Sequence, residues 1–160
     1  MASASTYTPI ATQTLGSNAS SVTFSSIPST YTDLVLIGNG TSVGNQTAKL
    51  TFNGTSSGYS DTDLFGDGSS AGSLRRTNAN ALNDIVFYTN PTMFIVDIMN
   101  YANTNVYKTT LAKTTIAGAE LDIMVGLWQN TAAINSLTLT GSSTNFVSGS
   151  TFTLYGILAA

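Results

Sequence analysis

The sequence contains no cysteine and no histidine among its 160 residues. The absence of cysteine excludes disulfide bonds and thiolate metal sites. The absence of histidine removes the commonest zinc ligand and the commonest general base of enzymes. Any chemistry must therefore use carboxylates, hydroxyls, amides or one of a few amines.

Charged residues are also scarce, since they make up 8% of the chain, against about 25% in an average soluble protein. Serine, threonine and asparagine together supply 60 residues, so hydroxyls and amides must form most of the polar surface. The net charge is −3, and the basic residues are mostly scattered: Lys49, Arg75, Arg76, Lys108 and Lys113. Nucleic-acid binding depends on clustered Lys and Arg, so the sequence predicts no nucleic-acid partner.

Long hydrophobic runs are absent as well. No run of 18 apolar residues occurs, so the sequence predicts no membrane-spanning helix and no membrane partner. The first ten residues, MASASTYTPI, lack the basic and apolar regions of a secretory signal. We therefore expect synthesis in a cytoplasm without a signal peptide.

Short strand-like segments occupy most of the chain, and polar clusters rich in Asn, Gly, Ser and Thr separate them. They are Thr6–Leu15, Ser21–Ile27, Asp33–Gly38, Ala48–Gly54, Asp84–Thr89, Met93–Tyr101, Val106–Thr114, Leu121–Asn130, Ile134–Gly141 and Ser150–Leu158. The one helix candidate, Ser73–Asp84, has weak helical periodicity and predicts at most a short turn. Strands without alternating helices indicate an all-β fold. The sequence predicts one domain over residues 1–160, an antiparallel, jelly-roll-like β-sandwich of about 8–10 strands, with an extended N-terminal arm over about residues 1–15.

The acidic, glycine-rich segment YSDTDLFGDGSSAGSLRR has features of a calcium loop. Asp61 and Asp63 fit the first and third positions of an EF-hand, but the fifth position is Phe65 and the twelfth is Gly72 rather than glutamate. An irregular calcium site on Asp61, Asp63 and Asp67 is the weaker alternative to a plain solvated loop. The sequence therefore predicts no bound metal.

The same segment contains the phosphate-binding pattern G-x-G-x-x-A from Gly66 to Ala71. A dinucleotide fold would place this pattern between a buried strand and a helix, whereas here a polar stretch precedes it and no convincing helix follows. A Walker A loop would need a lysine that is absent. We therefore predict no cofactor. A contact between subunits is the preferred interpretation, with the acids of one subunit facing the arginines of another: Asp61, Asp63 and Asp67 against Arg75 and Arg76.

Three further acids and one aromatic residue are candidates for a functional or structural role. Glu120 and Asp122 would share a strand face like the carboxylates of a glycosidase, although solvated residues at the rim of the strand are the favoured reading. Asp97 interrupts an apolar strand, so it either points to solvent on the polar face or is buried with a partner such as Arg75, Arg76 or Lys108. A structural pairing is the favoured role. Trp128 is a candidate platform for stacking a sugar ring, but an anchor in the core or in an interface is the favoured interpretation.

Several segments taken together resemble small virion proteins of tailed bacteriophages, especially those of cyanobacteria and other aquatic hosts. They are TYTPIATQTLGS, SVTFSSIPSTYTDLVLI, YSDTDLFGDGSS, FIVDIMNYANTNVYKT, VGLWQNTAAINSLTLT and STFTLYGI. The resemblance spans nearly the whole chain, but it contains no catalytic signature. It implies a β-sandwich module on the virion, which either decorates the capsid or forms the tip of a tail fibre.

Three functions follow from these observations. The first is a non-enzymatic capsid decoration or cement protein, a homotrimer on the virion head that binds the major capsid protein. The second is a tail-fibre or receptor-binding module that recognises host glycans through Trp128. The third is a glycosidase that uses Glu120 and Asp122. The sequence favours the first, with no catalytic residue.

Overall fold

The computed structural model describes residues 6–158, which form two antiparallel sheets packed as a β-sandwich. Twelve strands are present in this part of the chain. They are β1 (Tyr7–Thr14), β2 (Ser21–Phe24), β3 (Asp33–Gly40), β4 (Gln46–Phe52), β5 (Tyr59–Gly66), β6 (Ala71–Ala79), β7 (Leu82–Phe87), β8 (Thr92–Met99), β9 (Lys108–Ile116), β10 (Glu120–Trp128), β11 (Leu137–Gly141) and β12 (Thr151–Ile157). The predicted antiparallel β-sandwich is confirmed, with two more strands than the sequence indicated.

The two sheets differ in size. The large sheet has eight strands in the order β1-β12-β3-β8-β9-β10-β5-β6, and the small sheet has four in the order β2-β11-β4-β7. Strand β7, at one edge of the small sheet, packs across β8, β9, β10 and β5. We call the face of the large sheet that points towards the small sheet its inner face, and the opposite face its outer face. No helix among residues 6–158 is long and apolar enough to cross a membrane.

The core lies between the inner faces of the two sheets. Strands β4 and β8 alternate buried with more exposed residues, as a strand covered on one side should. Aromatic rings fill much of the space, and Phe87 packs against Phe94, Phe146 and Phe152 with centroid separations of 5.0 to 6.2 Å. Aromatic pairs at such distances add stability beyond the area that they bury.

The two additional strands lie where the sequence predicted a loop and a short turn. The segment YSDTDLFGDGSSAGSLRR forms most of a hairpin, β5 and β6, and the helix candidate Ser73–Asp84 is divided between β6 and β7. Both predictions were wrong because β5 and β6 have few apolar residues on their inner face. A polar inner face gives no hydrophobic alternation from which a strand can be recognised.

The described part of the predicted N-terminal arm is a strand of the large sheet. β1 pairs antiparallel with β12, and the register shifts between Pro9 and Ala11, which leaves Ile10 as an extra residue. Proline and a bulge are both common in edge strands. Residues 1–5 of the predicted arm lie outside the described residues.

Candidate functional site

Arg76 of β6 contacts three carboxylates in the space between the two sheets. Its Nη1 donates hydrogen bonds to Asp61 Oδ1 at 2.9 Å and to Asp63 Oδ2 at 2.6 Å, both on the neighbouring strand β5. Its Nη2 donates to Asp84 Oδ2 of β7. Since β7 belongs to the small sheet, Arg76 ties the outermost hairpin of the large sheet to the edge of the small sheet.

Two β-bulges bring these groups together. In β7, Asn83 and Asp84 together oppose the single residue Lys49 of β4, and Asp84 has a positive φ of 69°. The same bulge places the Asn83 backbone N–H 3.0 Å from Asp61 Oδ2, to which it donates a hydrogen bond. A second bulge follows Arg76 in β6. Bulges of this kind re-aim side chains and are common near functional sites.

The three carboxylates exceed the charge of the single guanidinium, and the pKa of Asp63 is raised to about 7. Burial is the main cause, and hydrogen bonding to Asp84 adds to it, whereas Arg76 acts in the opposite direction. Asp63 Oδ1 is buried and has no hydrogen-bond partner among the described residues. The Asp63 carboxyl group therefore keeps its proton to a higher pH than an ordinary aspartate does.

The structure corrects the proposed pairing of these acids with an arginine of another subunit. Asp61 and Asp63 are buried and pair with Arg76 of their own chain. They cannot also form the predicted subunit contact, because their charges are enclosed between the sheets. Asp67 and Arg75 are exposed, and their assignment to a subunit contact stays a prediction.

Asp67 lies apart from the other acids, in the turn between β5 and β6. Its Oδ1 accepts hydrogen bonds from the backbone N–H groups of Ser70 and Ser69 at 2.7 and 2.9 Å, and these bonds lower its pKa. The irregular calcium site of Asp61, Asp63 and Asp67 is therefore not assembled. In the part of the chain that the structure describes, no group of three or more acids is placed to hold a metal ion.

An open cleft of about 430 Å³ lies beside the Arg76 cluster. Phe65 and Leu74 point to the inner face here, yet they remain 40% and 46% exposed, because the large sheet extends beyond the small one. The ring of Phe65 lies across Gly72 of β6, where an added Cβ would come within 2.6 Å of the ring. The absence of a side chain at Gly72 thus lets the phenyl ring lie on the strand as part of an apolar floor.

Glu120 and Asp122 of β10 line the same cleft and share the inner face, as their spacing predicts. Asp122 is only 3% exposed, so it is not the solvated rim residue that the sequence favoured. Burial raises its pKa to about 7, the charges of Asp84 and Glu120 add to this shift, and Arg76 opposes it. No described residue forms a hydrogen bond with the Asp122 carboxyl group.

Tyr88 follows the end of β7 and forms part of the opposite wall of the cleft. Its hydroxyl group donates a hydrogen bond to Glu120 Oε2. That hydrogen bond is the main reason that the pKa of Tyr88 is raised to about 12. The contact holds Glu120 against the wall while Asp122 remains unpaired.

Gln46, the first residue of β4, contributes an unsatisfied hydrogen-bond donor. Its Oε1 accepts hydrogen bonds from the backbone N–H groups of Ser143 and Thr144 at 3.3 and 3.1 Å. Because both neighbours are donors, the oxygen must face them and the nitrogen must point away. Nε2 is buried, lacks a partner among the described residues, and belongs to a side chain that lines the cleft.

Trp128 lies in the core, which corrects its proposed role as a sugar platform. It is 1% exposed, and its ring packs against Phe52 and stacks on Tyr59 at centroid distances of 5.5 and 6.2 Å. A sugar can stack only on a ring that solvent can reach. The interpretation of Trp128 as a core anchor is therefore correct.

The outer face of the large sheet carries exposed apolar side chains on adjacent strands. Leu121, Ile123 and Val125 alternate along β10 and are 51%, 39% and 57% exposed. Ile123 lies directly opposite Leu64 of β5, which is 62% exposed. Apolar side chains that are contiguous across neighbouring strands in this way are a candidate interaction surface.

Asp97 also lies on the outer face, where it forms a salt bridge with Lys113 at 3.6 Å. Asp97 is therefore on the solvent side of the sheet, and the alternative of a buried pairing with Arg75, Arg76 or Lys108 is wrong. The Lys108 ammonium is enclosed by loops and donates hydrogen bonds to three backbone carbonyl oxygens. Burial lowers the pKa of Lys108.

No protein-family model matches the sequence, and no curated protein matches it.

Proposed function

We propose that the protein is a non-enzymatic structural protein of a tailed-bacteriophage virion. In this role it decorates and cements the head surface as a homotrimer that binds the major capsid protein. The observation that carries the proposal is the apolar outer face of the large sheet. A shell subunit needs such a surface because subunit contacts bury apolar side chains that an isolated domain would leave in water.

Further copies of this chain suit the outer face because the described face has balanced charges. The strand alternation places two acids, Asp33 and Asp97, and two bases, Arg75 and Lys113, on it. A copy of the chain would therefore meet no net repulsion, and acids of one copy can pair with bases of another.

Composition and sequence resemblance support a location on the virion. A chain without cysteine is indifferent to the redox state outside a cell, and five basic residues leave few sites for trypsin. The tail-fibre alternative loses its candidate glycan platform, because Trp128 is buried in the core. The decoration role needs no such exposed ring.

A charge placed on the outer face should prevent assembly. We expect the purified chain to have the mass of three 16.6 kDa copies and Val125→Asp to shift it to monomers, because an interface would bury an unpaired carboxylate. Light scattering coupled to size exclusion measures the mass. Val43→Asp is the matched control, since Val43 is 54% exposed in the loop between β3 and β4. A wild-type monomer, or a Val125→Asp trimer, would contradict the proposal.

Cryo-electron microscopy of intact virions tests the location. We expect density for this fold on the outer surface of the head, in contact with the major capsid protein around local three-fold axes. Density for the fold confined to the tail tip would overturn the decoration role and favour the alternative role as a tail-fibre module.

A further inference from the structure

Acidic residues are concentrated around the cleft beside Arg76. Five of the eight acids of the chain lie in the cleft or directly behind it: Asp61, Asp63, Asp84, Glu120 and Asp122. Arg76 is the one base among the residues that line the cleft, and its guanidinium already donates hydrogen bonds to three of these carboxylates. One guanidinium cannot balance five carboxylates, so the cleft has an excess of negative charge.

Asp122 is the acid of this group that has no partner. It is 3% exposed, yet no described residue forms a hydrogen bond with its carboxyl group. Its oxygens are not among the unpaired atoms that are sealed in the interior, and Asp122 lines the cleft, so the carboxyl group can be reached from there. A carboxylate accepts hydrogen bonds and attracts positive charge. A ligand that contacts Asp122 must therefore carry hydrogen-bond donors, and the surrounding charge favours a cation.

The apolar floor of the cleft distinguishes an organic cation from a metal ion. Asp122 lies directly opposite Phe65 in the pairing of β10 with β5. Opposite side chains of an antiparallel pair are about 5 Å apart at Cβ, so the carboxyl group adjoins the exposed phenyl ring. A metal ion would not use the ring, and no group of three or more acids among the described residues is placed to hold one. An ammonium or guanidinium group on an aliphatic stem uses both features, because the charge pairs with the carboxylate and the stem covers the ring.

We propose that this cleft is a binding site for an organic cation, an ammonium or guanidinium group carried on an aliphatic stem. The cationic group donates hydrogen bonds to the carboxylates of Asp122 and Glu120. Its stem packs on the exposed side chains of Phe65 and Leu74. The cleft volume of about 430 Å³ lies within the usual range for small ligands. Binding is a property of the isolated chain, so the proposal does not depend on the location of the protein on a virion.

A basic side chain of another protein and a free polyamine both carry such a group, and calorimetry on the purified chain distinguishes them. The probes are N-acetyl-arginine methylamide and N-acetyl-lysine methylamide for the first source and spermidine for the second. N-acetyl-citrulline methylamide is the matched control, because it has the shape of the arginine probe without its charge. In low salt, where screening is weak, we expect at least one cationic probe to bind at least tenfold more tightly than the citrulline probe. Failure of all three cations to bind, or equal binding of the citrulline probe, would overturn the proposal.

The pH dependence of binding is a readout that a merely structural role of Asp122 would not move. Burial raises the pKa of Asp122 to about 7, and its neighbour on β9 is the uncharged Thr114. The charged groups that face it come from its own strand and from β5, β6 and β7: Glu120, Asp63, Arg76 and Asp84. A bound cation favours the ionised carboxylate, so binding should release protons and the affinity should rise about tenfold from pH 6 to pH 8. An affinity that stays constant or falls over this interval would contradict the proposal.

Two variants locate the binding in the cleft. Asp122→Asn removes the unpaired charge and Phe65→Ala removes the exposed ring, and each should weaken binding of the tightest probe at least fivefold while the circular dichroism spectrum is retained. Asp97→Asn and Tyr107→Ala are the matched controls, because they change an acid on the outer face and an exposed aromatic residue outside the cleft. Both should leave the affinity unchanged. Unchanged affinity in either cleft variant, or an equal loss in the controls, would refute the assignment.

Discussion

Replacement of Arg76 with alanine is expected to lower the free energy of unfolding by about 3 to 5 kcal/mol. The guanidinium contacts Asp61, Asp63 and Asp84, and the first two are buried. Its removal leaves these carboxylates without a cation between the sheets. Repulsion among them should separate the β5–β6 hairpin from β7, because Arg76 joins the two.

Equilibrium unfolding in urea measures this effect, since urea does not screen charge. Arg75→Ala is the matched control: Arg75 is the adjacent arginine but points to the outer face and is exposed. We expect the control to change the stability of the monomer by no more than about 0.5 kcal/mol. Equal stability of the two variants would show that the cluster contributes nothing to the fold.

Stability is expected to fall by about 2 to 4 kcal/mol as the pH rises from 5.5 to 8. In the folded chain the pKa values of Asp63 and Asp122 are raised to about 7 from an ordinary value of 3.8, mainly by burial. Between these pKa values the folded state binds more protons than the unfolded state. The free energy of unfolding must therefore decrease with rising pH across this interval and level off above pH 8.

Single substitutions separate the contributions of individual carboxyl groups to the decrease in the free energy of unfolding with pH. Asp122→Asn removes one titrating group, so it should flatten the slope and make the protein more stable than wild type at pH 8. Asp67→Asn is the control, because the pKa of Asp67 is lowered and the group does not titrate between pH 5.5 and 8. A wild-type stability that rises over this range would contradict the raised pKa values.

The effect of losing Arg76 and the effect of pH on stability are coupled, because both act on the carboxylates near Arg76. Loss of Arg76 removes the group that opposes the raised pKa of both Asp63 and Asp122. The stability of Arg76→Ala should therefore depend more steeply on pH than that of the wild type. At pH 5.5 protonation relieves part of the repulsion, so the variant should lose less stability there than at pH 8.

Strands with conventional patterning could be recognised from the sequence. Val22 and Phe24 in β2 and Leu50 and Phe52 in β4 are spaced two apart, and all four are buried as this spacing predicts. The apolar run at the start of β3 lies inside the large sheet, between β12 and β8. The strand conformation of such positions can be predicted because apolar burial and strand geometry both favour it.

The hairpin β5–β6 could not be recognised in this way. Its inner positions include Asp61, Asp63 and Arg76, while Leu64 points outwards. The usual rule of apolar inside and polar outside is thus reversed in the middle of β5, at Asp61, Asp63 and Leu64. The buried acids are stable at these positions only because two groups from other strands contact them: the Arg76 side chain and the bulge at Asp84. Long-range pairing of this kind leaves no local signal in a single sequence.

The cleft beside Arg76 could be predicted from the sequence only in part, because its lining also depends on contacts between distant parts of the chain. The two-residue spacing of Glu120 and Asp122 was enough to predict a shared strand face. Only the packing of unequal sheets shows that Asp122 is buried and that Gln46 reaches the same cavity. Likewise, a tryptophan near the end of a strand is compatible with core and surface alike, and the position of the small sheet decides which.

The sequence by itself determined the chemistry that this protein can use and the class of its fold. No cysteine or histidine, few charges and many short strand-like segments are properties of composition and local pattern, and they lead to an all-β domain without thiol or imidazole chemistry. The tertiary structure alone decided which acids are buried, which arginine neutralises them and which apolar residues remain exposed. Those outcomes depend on which strands become neighbours and on how far the large sheet extends past the small one, and both follow from packing of the whole chain.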